Sequence, residues 1–167
     1  MNYLKISIGI FLALAASRLI PHPPNFTNLI ALSFYVPAFF GVRYIPAVIL
    51  AFMFTDAIIG FHDTMIYTFL SVALVGIISK YFLQNFKLRF LGLFIGSIIF
   101  YLLTNLGVWL TGYYGHTVSG LILCYYLALP FFYGTILSSI LYGILIESLL
   151  KLGNRGFLIN LKLKNIN

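Results

Sequence analysis

Most side chains that could bind a ligand or exchange a proton fall into four short stretches of this chain. The first, residues 18–28, combines an arginine, a histidine, three prolines, two asparagines and a threonine. The others are residues 56–64, 105–117 and 124–126, which supply carboxylates, imidazoles, an amide, an indole, phenols and a thiol. Such groups hydrogen-bond ligands, coordinate metal ions or perform acid–base chemistry. Because apolar sequence separates the stretches, the surrounding elements must bring them together in space.

The composition indicates that lipid is the solvent for most of the chain. Of its 167 residues, 62% are hydrophobic and 8% are charged, and the mean hydropathy is +1.04. A soluble domain needs a polar shell that this composition does not supply. We therefore predict an all-α polytopic membrane protein, with one transmembrane domain over residues 1–150 and a basic cytoplasmic tail over residues 151–167. The sequence contains no nucleotide-binding, hydrolase or zinc-protease motif, and its lone Cys124 excludes an internal disulfide.

Six apolar runs predict six transmembrane helices. The second run is short and contains Pro37, whereas the last is too long for one straight span. Pro130 lies inside the last run and is expected to kink it, because proline removes a helical hydrogen bond and clashes with the preceding turn. The runs cover residues 3–20, 27–41, 44–61, 64–84, 88–112 and 118–150.

The basic residues predict the orientation of these helices. If the N-terminus is cytoplasmic, nine of the ten Lys and Arg residues fall on the cytoplasmic side, as the positive-inside rule requires, and Arg18 is the exception. Both termini are therefore predicted on the cytoplasmic side of the inner membrane. Lys5, the apolar run after it and "ALAAS" also match a cleavable signal peptide, but the run continues through Ile20, which favours a retained helix.

This topology places the unusual polar residues on the outer side, where we predict a ligand pocket. Asp56 and Asn105 lie at similar depths, about 9 Å below the outer ends of their helices at 1.5 Å per residue. Polar groups at such depth usually face a wet cavity or a protein interior, and the stiff Pro23-Pro24 segment would form a rim above it. The predicted substrate-binding residues are Arg18, His22, Asn25, Asp56, His62, Asn105, Trp109, Cys124 and Tyr126.

Several of these residues also have a purely structural interpretation. Arg18 and Asp56 are able to form a salt bridge between the first and third spans, and Asn105 is able to hydrogen-bond a neighbouring helix. Trp109 is typical of an interfacial aromatic belt, and Cys124 is typical of a small buried hydrophobic residue. The sequence alone leaves both sets of interpretations open.

Small residues recur along one face of the first span. Gly9, Ala13 and Ser17 are four residues apart, and such a stripe lets another helix approach closely. One interpretation is packing inside the monomer. The other is a docking face for a partner membrane subunit.

Three sequence blocks carry a family resemblance: "SRLIPHPPNFT" (17–27), "DAIIGFH" (56–62) and "TNLGVWLTG" (104–112). A weaker block runs from Gly120 through "CYYLALPFF" to Phe132. Together they resemble a family of small bacterial membrane proteins described as candidate transport proteins. That family is similar to the S components of energy-coupling-factor (ECF) transporters.

The resemblance implies a six-helix substrate-binding subunit that captures a vitamin-like molecule or a metal ion on the outer side. It also implies a membrane coupling subunit and ATPases as partners, since this chain has no Walker motif of its own. The chain departs from the family pattern after "PFF". A charged or amide residue and then an acid are expected there, but Tyr133-Gly134-Thr135 and Ser138-Ser139 stand instead.

Three functions are compatible with these residues. The first is a substrate-binding transport subunit, with deep polar groups that orient a ligand and aromatic side chains that stack on it. The second is an intramembrane enzyme whose His22, His62, His116 and Asp56 form a metal site or an acid–base set. The third is a non-catalytic membrane assembly protein that uses its small-residue faces. The sequence identifies neither the ligand nor a cofactor.

Overall fold

The computed structural model describes residues 3–152 and confirms the all-α class, since seven α-helices and two short 3-10 segments account for the regular structure of that range. Residues 1–2 and 153–167 lie outside the described part, and so does most of the predicted basic tail. The α-helices are α1 (Tyr3–Leu19), α2 (Leu29–Phe40), α3 (Ile45–Ile59), α4 (Met65–Ile78), α5 (Phe86–Leu110), α6 (Val118–Leu127) and α7 (Leu129–Leu152).

Four helical segments of the described range are long and apolar enough to cross a membrane. They are Val42–Ile59, Met65–Phe82, Phe86–Leu110 and Leu129–Leu152. Helix α1 has 17 residues, α2 has 12 and α6 has 10, so these three are shorter. The count of six spans therefore stays a prediction. The last predicted run, 118–150, is divided between α6 and α7, and the division falls at Ala128, two residues before Pro130.

Helix α2 occupies the middle of the bundle, which explains how so short a helix fits a membrane protein. Nine of its twelve residues are buried, from Leu29 to Ala38, and the helix carries Pro37 in its interior. The ring of Phe34 occupies the space that a Cβ atom at Gly92 of α5 would need. The two helices therefore approach closely at this glycine. A helix enclosed by other helices does not need to match the bilayer thickness, because its surface contacts protein instead of lipid.

Consecutive helices from α1 to α5 run in alternating directions. Helix α1 is parallel to α3, because Tyr3 stacks on Tyr44 at one end and Arg18 pairs with Asp56 at the other. Lys5, Arg43, Lys80, Lys87, Arg89 and Lys151 all lie towards the end of the bundle that carries Tyr3 and Tyr44. We call this the basic end. The connections α1–α2, α3–α4 and α5–α6 lie at the opposite end.

The break between α6 and α7 makes this part of the chain bow away from α5. The Tyr125 hydroxyl donates to the carbonyl of Leu102, and the Ser97 hydroxyl donates to the hydroxyl of Ser139. Tyr125 and Ser139 are therefore fourteen residues apart, although their partners on α5, Leu102 and Ser97, are only five residues apart. Straight antiparallel helices would show nearly equal separations, since both rise about 1.5 Å per residue. The excess chain makes room for a cavity.

Candidate functional site

A cavity of about 540 Å³ lies at the end opposite the basic end, and every helix, or the connection next to it, contributes to its wall. Aromatic and aliphatic side chains alternate there with hydroxyls, amides and imidazoles, which is the usual composition of a small-molecule site. Its polar lining consists of Arg18, His22, Asn25, Thr27, His62, Thr64, Thr68, Tyr101, Thr104, Asn105, Tyr114, Cys124, Thr135 and Ser138.

Arg18 sits at the end of α1 and is held from several sides. Its Nη1 donates to the carbonyl of Phe52 at 3.2 Å and to the hydroxyl of Thr55 at 2.5 Å. Its guanidinium lies 3.9 Å from the centre of the Phe52 ring, and its Nη2 lies 2.7 Å from Oδ1 of Asp56. The side chain is 13% exposed, and that exposure faces the cavity. The structure thus contains the salt bridge that was one interpretation of this pair.

Asp56 lies behind Arg18 and is absent from the cavity lining, so its assignment as a ligand-contacting residue stays a prediction. The residue is fully buried. Apart from the ion pair, neither carboxylate oxygen has a hydrogen bond within residues 3–152. Helix α3 turns the carboxylate into the bundle, whereas α1 leaves part of the guanidinium at the cavity. Asp56 is a supporting residue for Arg18.

The proline-rich connection between α1 and α2 crosses the mouth of the cavity and reaches α7. Asn25 has a φ of 58°, in the left-handed region that asparagine tolerates better than most residues. Its carbonyl accepts a hydrogen bond from Ser138 at 3.4 Å. The carbonyl of Pro24 lies so close to Gly134 that a Cβ there would come within 2.6 Å of it. We call residues 21–28 the rim segment.

The other end of the rim segment is fixed to α1. Asn28 is buried, its side-chain amide donates to the carbonyl of Ala13 at 2.8 Å, and its Oδ1 accepts from Ser17 at 2.7 Å. Ser17 therefore makes an internal contact with the rim segment, and its assignment to a docking face stays a prediction. Gly9 and Ala13 remain exposed, and no atom lies within 4 Å of the Cβ position at Gly9.

Trp109 and Tyr126 are absent from the cavity lining, and their assignment as substrate-binding residues stays a prediction. The Trp109 indole donates to the carbonyl of Thr117 at 3.3 Å and packs edge-on against His116, so it stabilises the α5–α6 connection. Tyr126 is 67% exposed on the outer surface of α6. Trp109 lies at the same end of the bundle as the cavity, but helical spacing alone did not distinguish the face of α5 that lines the cavity from the face that packs on the α5–α6 connection.

Six of the nine predicted substrate-binding residues line the same cavity: Arg18, His22, Asn25, His62, Asn105 and Cys124. Residues that sequence reasoning left out form much of the remaining wall, among them Thr68, Tyr101, Thr104, Thr135 and Ser138. Tyr101, Thr104, Asn105 and Val108 follow the three- and four-residue steps of one helical face. That periodicity was the available signal, but in so apolar a helix it resembles ordinary packing.

The residues of the predicted metal or acid–base set are divided between different places. His22 and His62 line the cavity, Asp56 is buried behind Arg18, and His116 contacts the carbonyl of Leu110 in the α5–α6 connection. Within residues 3–152, no group of three or more His, Cys, Asp and Glu side chains is arranged to hold a metal ion.

A second buried ion pair lies near the basic end, and sequence reasoning missed it. Arg89 of α5 binds both carboxylate oxygens of Glu147 of α7, and its Nη1 also donates to the carbonyl of Leu83. Tyr35 of α2 donates to the same carboxylate at 2.8 Å. The signal was Glu147 itself, the one acidic residue in the last apolar run. This network joins three helices and leaves the carboxylate with several partners.

A family described as "Family of unknown function (DUF6580)" matches residues 2–158, which is nearly the whole chain. No curated protein and no solved structure matches the chain.

Proposed function

We propose that this chain, which belongs to the DUF6580 family of unknown function, is a membrane-embedded substrate-binding subunit of a transporter, similar to an ECF S component. It captures a vitamin-like small molecule in the cavity. The observation that carries this proposal is the cavity itself, because it is large enough for an organic ligand and combines aromatic walls with a few positioned polar groups. The separation of its histidines from Asp56 favours an organic ligand over a bare metal ion.

The distribution of charge supports capture from the outer side of the inner membrane. The cavity lies at the end opposite Lys5, Arg43, Lys80, Lys87 and Arg89. Basic residues next to transmembrane helices remain in the cytoplasm. In this orientation the six-span topology has both termini inside, with α6 and α7 forming one broken span and the cavity open to the outside.

The exposed part of the small-residue stripe supports a partner in the membrane. Gly9 and Ala13 leave a shallow surface on α1 that the chain's own helices do not cover. Helices associate in lipid largely through close packing, which small residues permit. We assign this surface to a membrane coupling subunit that works with separate ATPases, since the chain carries no Walker motif.

Ligand extraction tests the proposal. The protein is purified in mild detergent, and its bound small molecules are released and identified by mass spectrometry. Thr104→Trp places a large side chain into the cavity, whereas Thr111→Trp places one on an exposed turn at the end of the same helix. We expect the wild-type protein and the Thr111 variant to carry the same small molecule, and the Thr104 variant to lose it while its unfolding temperature is retained.

Other outcomes decide between the proposed function and the alternatives. A bound compound that is converted to a product by the purified protein would indicate the intramembrane enzyme. A protein that carries no small molecule in any preparation, and whose thermal stability is the same with and without a lysate extract of small molecules, would contradict the substrate-binding function and favour an assembly protein.

A further inference from the structure

We infer that the cavity accepts a neutral, planar ring system that carries N–H donors on its periphery. This inference rests on the proposed substrate-binding function and names the chemical class of the substrate. It follows from the hydrogen bonds that the lining already makes, because these determine which donors and acceptors are left for a ligand.

The hydroxyl groups on the α5 and α7 side of the cavity have already used their protons. Each donates to a backbone carbonyl of the chain, at 2.6–3.0 Å. A hydroxyl has one proton and two lone pairs, so each oxygen is left as an acceptor only. The four residues are Tyr101, Thr104, Thr135 and Ser138. We call them the acceptor wall.

Three further groups add acceptors or hydroxyls to the lining. The side-chain amide of Asn105 donates to the carbonyl of Tyr101 at 2.8 Å, and its Oδ1 has no partner within residues 3–152. His22 Nδ1 lies 2.7 Å from the carbonyl of Pro23, which can only accept, so the neutral ring has its free lone pair at Nε2. Thr68 is 5% exposed and adds a further hydroxyl-bearing side chain to the same lining. A ligand with N–H groups satisfies these atoms.

The charge of the lining selects against ions of both signs. The described residues place no Asp or Glu side chain in the lining, so an ammonium group would lose its hydration without a counter-charge. A carboxylate against the acceptor wall would face lone pairs instead of donors. The charge of Arg18 is balanced by Asp56. A neutral ligand therefore fits the cavity best.

The remaining lining favours a flat ring. Phe52, Phe100, Phe131 and Phe132 all border the cavity, and Phe132 packs against Tyr101 with the ring centroids 4.5 Å apart and the ring planes tilted by 32°. Aromatic faces pack well against other rings in offset or edge-on arrangements. The acceptor wall then meets the edge of the ring while the phenyl groups cover its faces.

Two measurements test the substrate class on the purified full-length protein. The first is the identity of the copurified compound by mass spectrometry, for which we expect a neutral ring with amide, amine or ring N–H groups. The second is calorimetric binding of probe pairs that differ only by N-methylation: xanthine with caffeine, and lumazine with its dimethyl derivative. Each unmade buried hydrogen bond lowers affinity by about tenfold, so we expect the methylated member of a pair to bind at least about tenfold more weakly.

Matched variants locate the effect in the acceptor wall. Thr104→Val removes one acceptor from the cavity, whereas Thr111→Val removes a hydroxyl at the C-terminal end of the same helix, outside the cavity, that also donates to a nearby backbone carbonyl. We expect Thr104→Val to weaken binding of the N–H probe about tenfold, to leave its methylated twin unchanged, and the Thr111 variant to match wild type.

The failure of this inference is distinguishable from failure of the proposed function. A copurified carboxylic acid, ammonium compound or lipid would overturn the substrate class while leaving the substrate-binding function intact. Equal binding of both members of each probe pair, with or without Thr104→Val, would do the same. A protein that carries no small molecule and binds none of the probes would contradict both.

Discussion

The ion pair between Arg18 and Asp56 gives the sharpest test of the structure, because its two members are supported unequally. Arg18 keeps two hydrogen bonds, to Phe52 and Thr55, and a ring contact when Asp56 is removed. Asp56 is fully buried and has no hydrogen bond beyond the ion pair within the described residues. We therefore predict that removing the arginine destabilises the protein more than removing the aspartate.

The magnitudes follow from what each substitution leaves behind. Arg18→Met leaves a buried carboxylate without a partner, and breaking such a pair costs about 3–5 kcal/mol. Asp56→Leu leaves a guanidinium that retains its hydrogen bonds and its partial exposure to the cavity, so we expect a cost of about 1–3 kcal/mol, in the range for a disrupted hydrogen bond to a charged group. The double variant removes both charges and is expected to lie within about 1 kcal/mol of wild type, since apolar replacements of buried pairs are often neutral.

The assay is equilibrium unfolding in mixed micelles of mild and denaturing detergent. The fluorescence of Trp109, the only tryptophan, reports on the α5–α6 connection, and circular dichroism reports on the helices as an independent signal. The four proteins form a double-mutant cycle whose coupling energy isolates the pair. The reasoning is refuted if Asp56→Leu is as destabilising as Arg18→Met, or if the double variant is less stable than either single variant.

Three further predictions concern the partner surface, the rim segment and the orientation. Ala13→Trp should abolish assembly with a coupling subunit and uptake while retaining the bound ligand, whereas Leu12→Trp, on an exposed face beside the stripe, should assemble normally in the same pull-down. Gly134→Val should displace the rim segment, because a Cβ there would approach the carbonyl of Pro24, and calorimetry should show a weaker ligand affinity with a faster dissociation rate by stopped flow. In a background without the native cysteine, a cysteine at Asp63 should react with an impermeant maleimide added outside intact cells, and one at Lys87 should react only after lysis; the reverse pattern would invert the proposed topology.

Local sequence patterns predicted the features of this fold that local chemistry determines. The helical class follows from apolar runs that must satisfy their own backbone hydrogen bonds in lipid. The division of the last run near Pro130 follows from the missing amide proton and the ring clash of proline. The accumulation of polar residues at one end follows from the cost of placing them elsewhere along a transmembrane helix. Arg18, His22 and Asn105 lie at one cavity for this reason.

Features that depend on packing between distant segments could not be predicted from the sequence. Arg89 and Glu147 are 58 residues apart, and nothing in either local pattern identifies the other as its partner. The burial of α2 on all sides also depends on its neighbours, since a uniformly apolar helix has no periodic polar face to indicate where the protein ends and lipid begins. The contribution of α7 to the cavity results from the bow at the α6–α7 break, whose direction proline alone does not determine.

The two buried ion pairs differ in a way that indicates different roles. The carboxylate of Glu147 has Arg89 and Tyr35 as partners and joins three helices, as expected of a structural network. Within residues 3–152 the carboxylate of Asp56 has the ion pair with Arg18 and no further hydrogen bond, so it contributes little cross-linking of its own. A buried pair with so little hydrogen bonding could be replaced by apolar residues at little cost in stability. Such a replacement would remove a guanidinium that is fixed at the wall of the cavity. The proposed substrate-binding function therefore explains the pair, as the support of a guanidinium at the cavity wall, better than stabilisation of the bundle does.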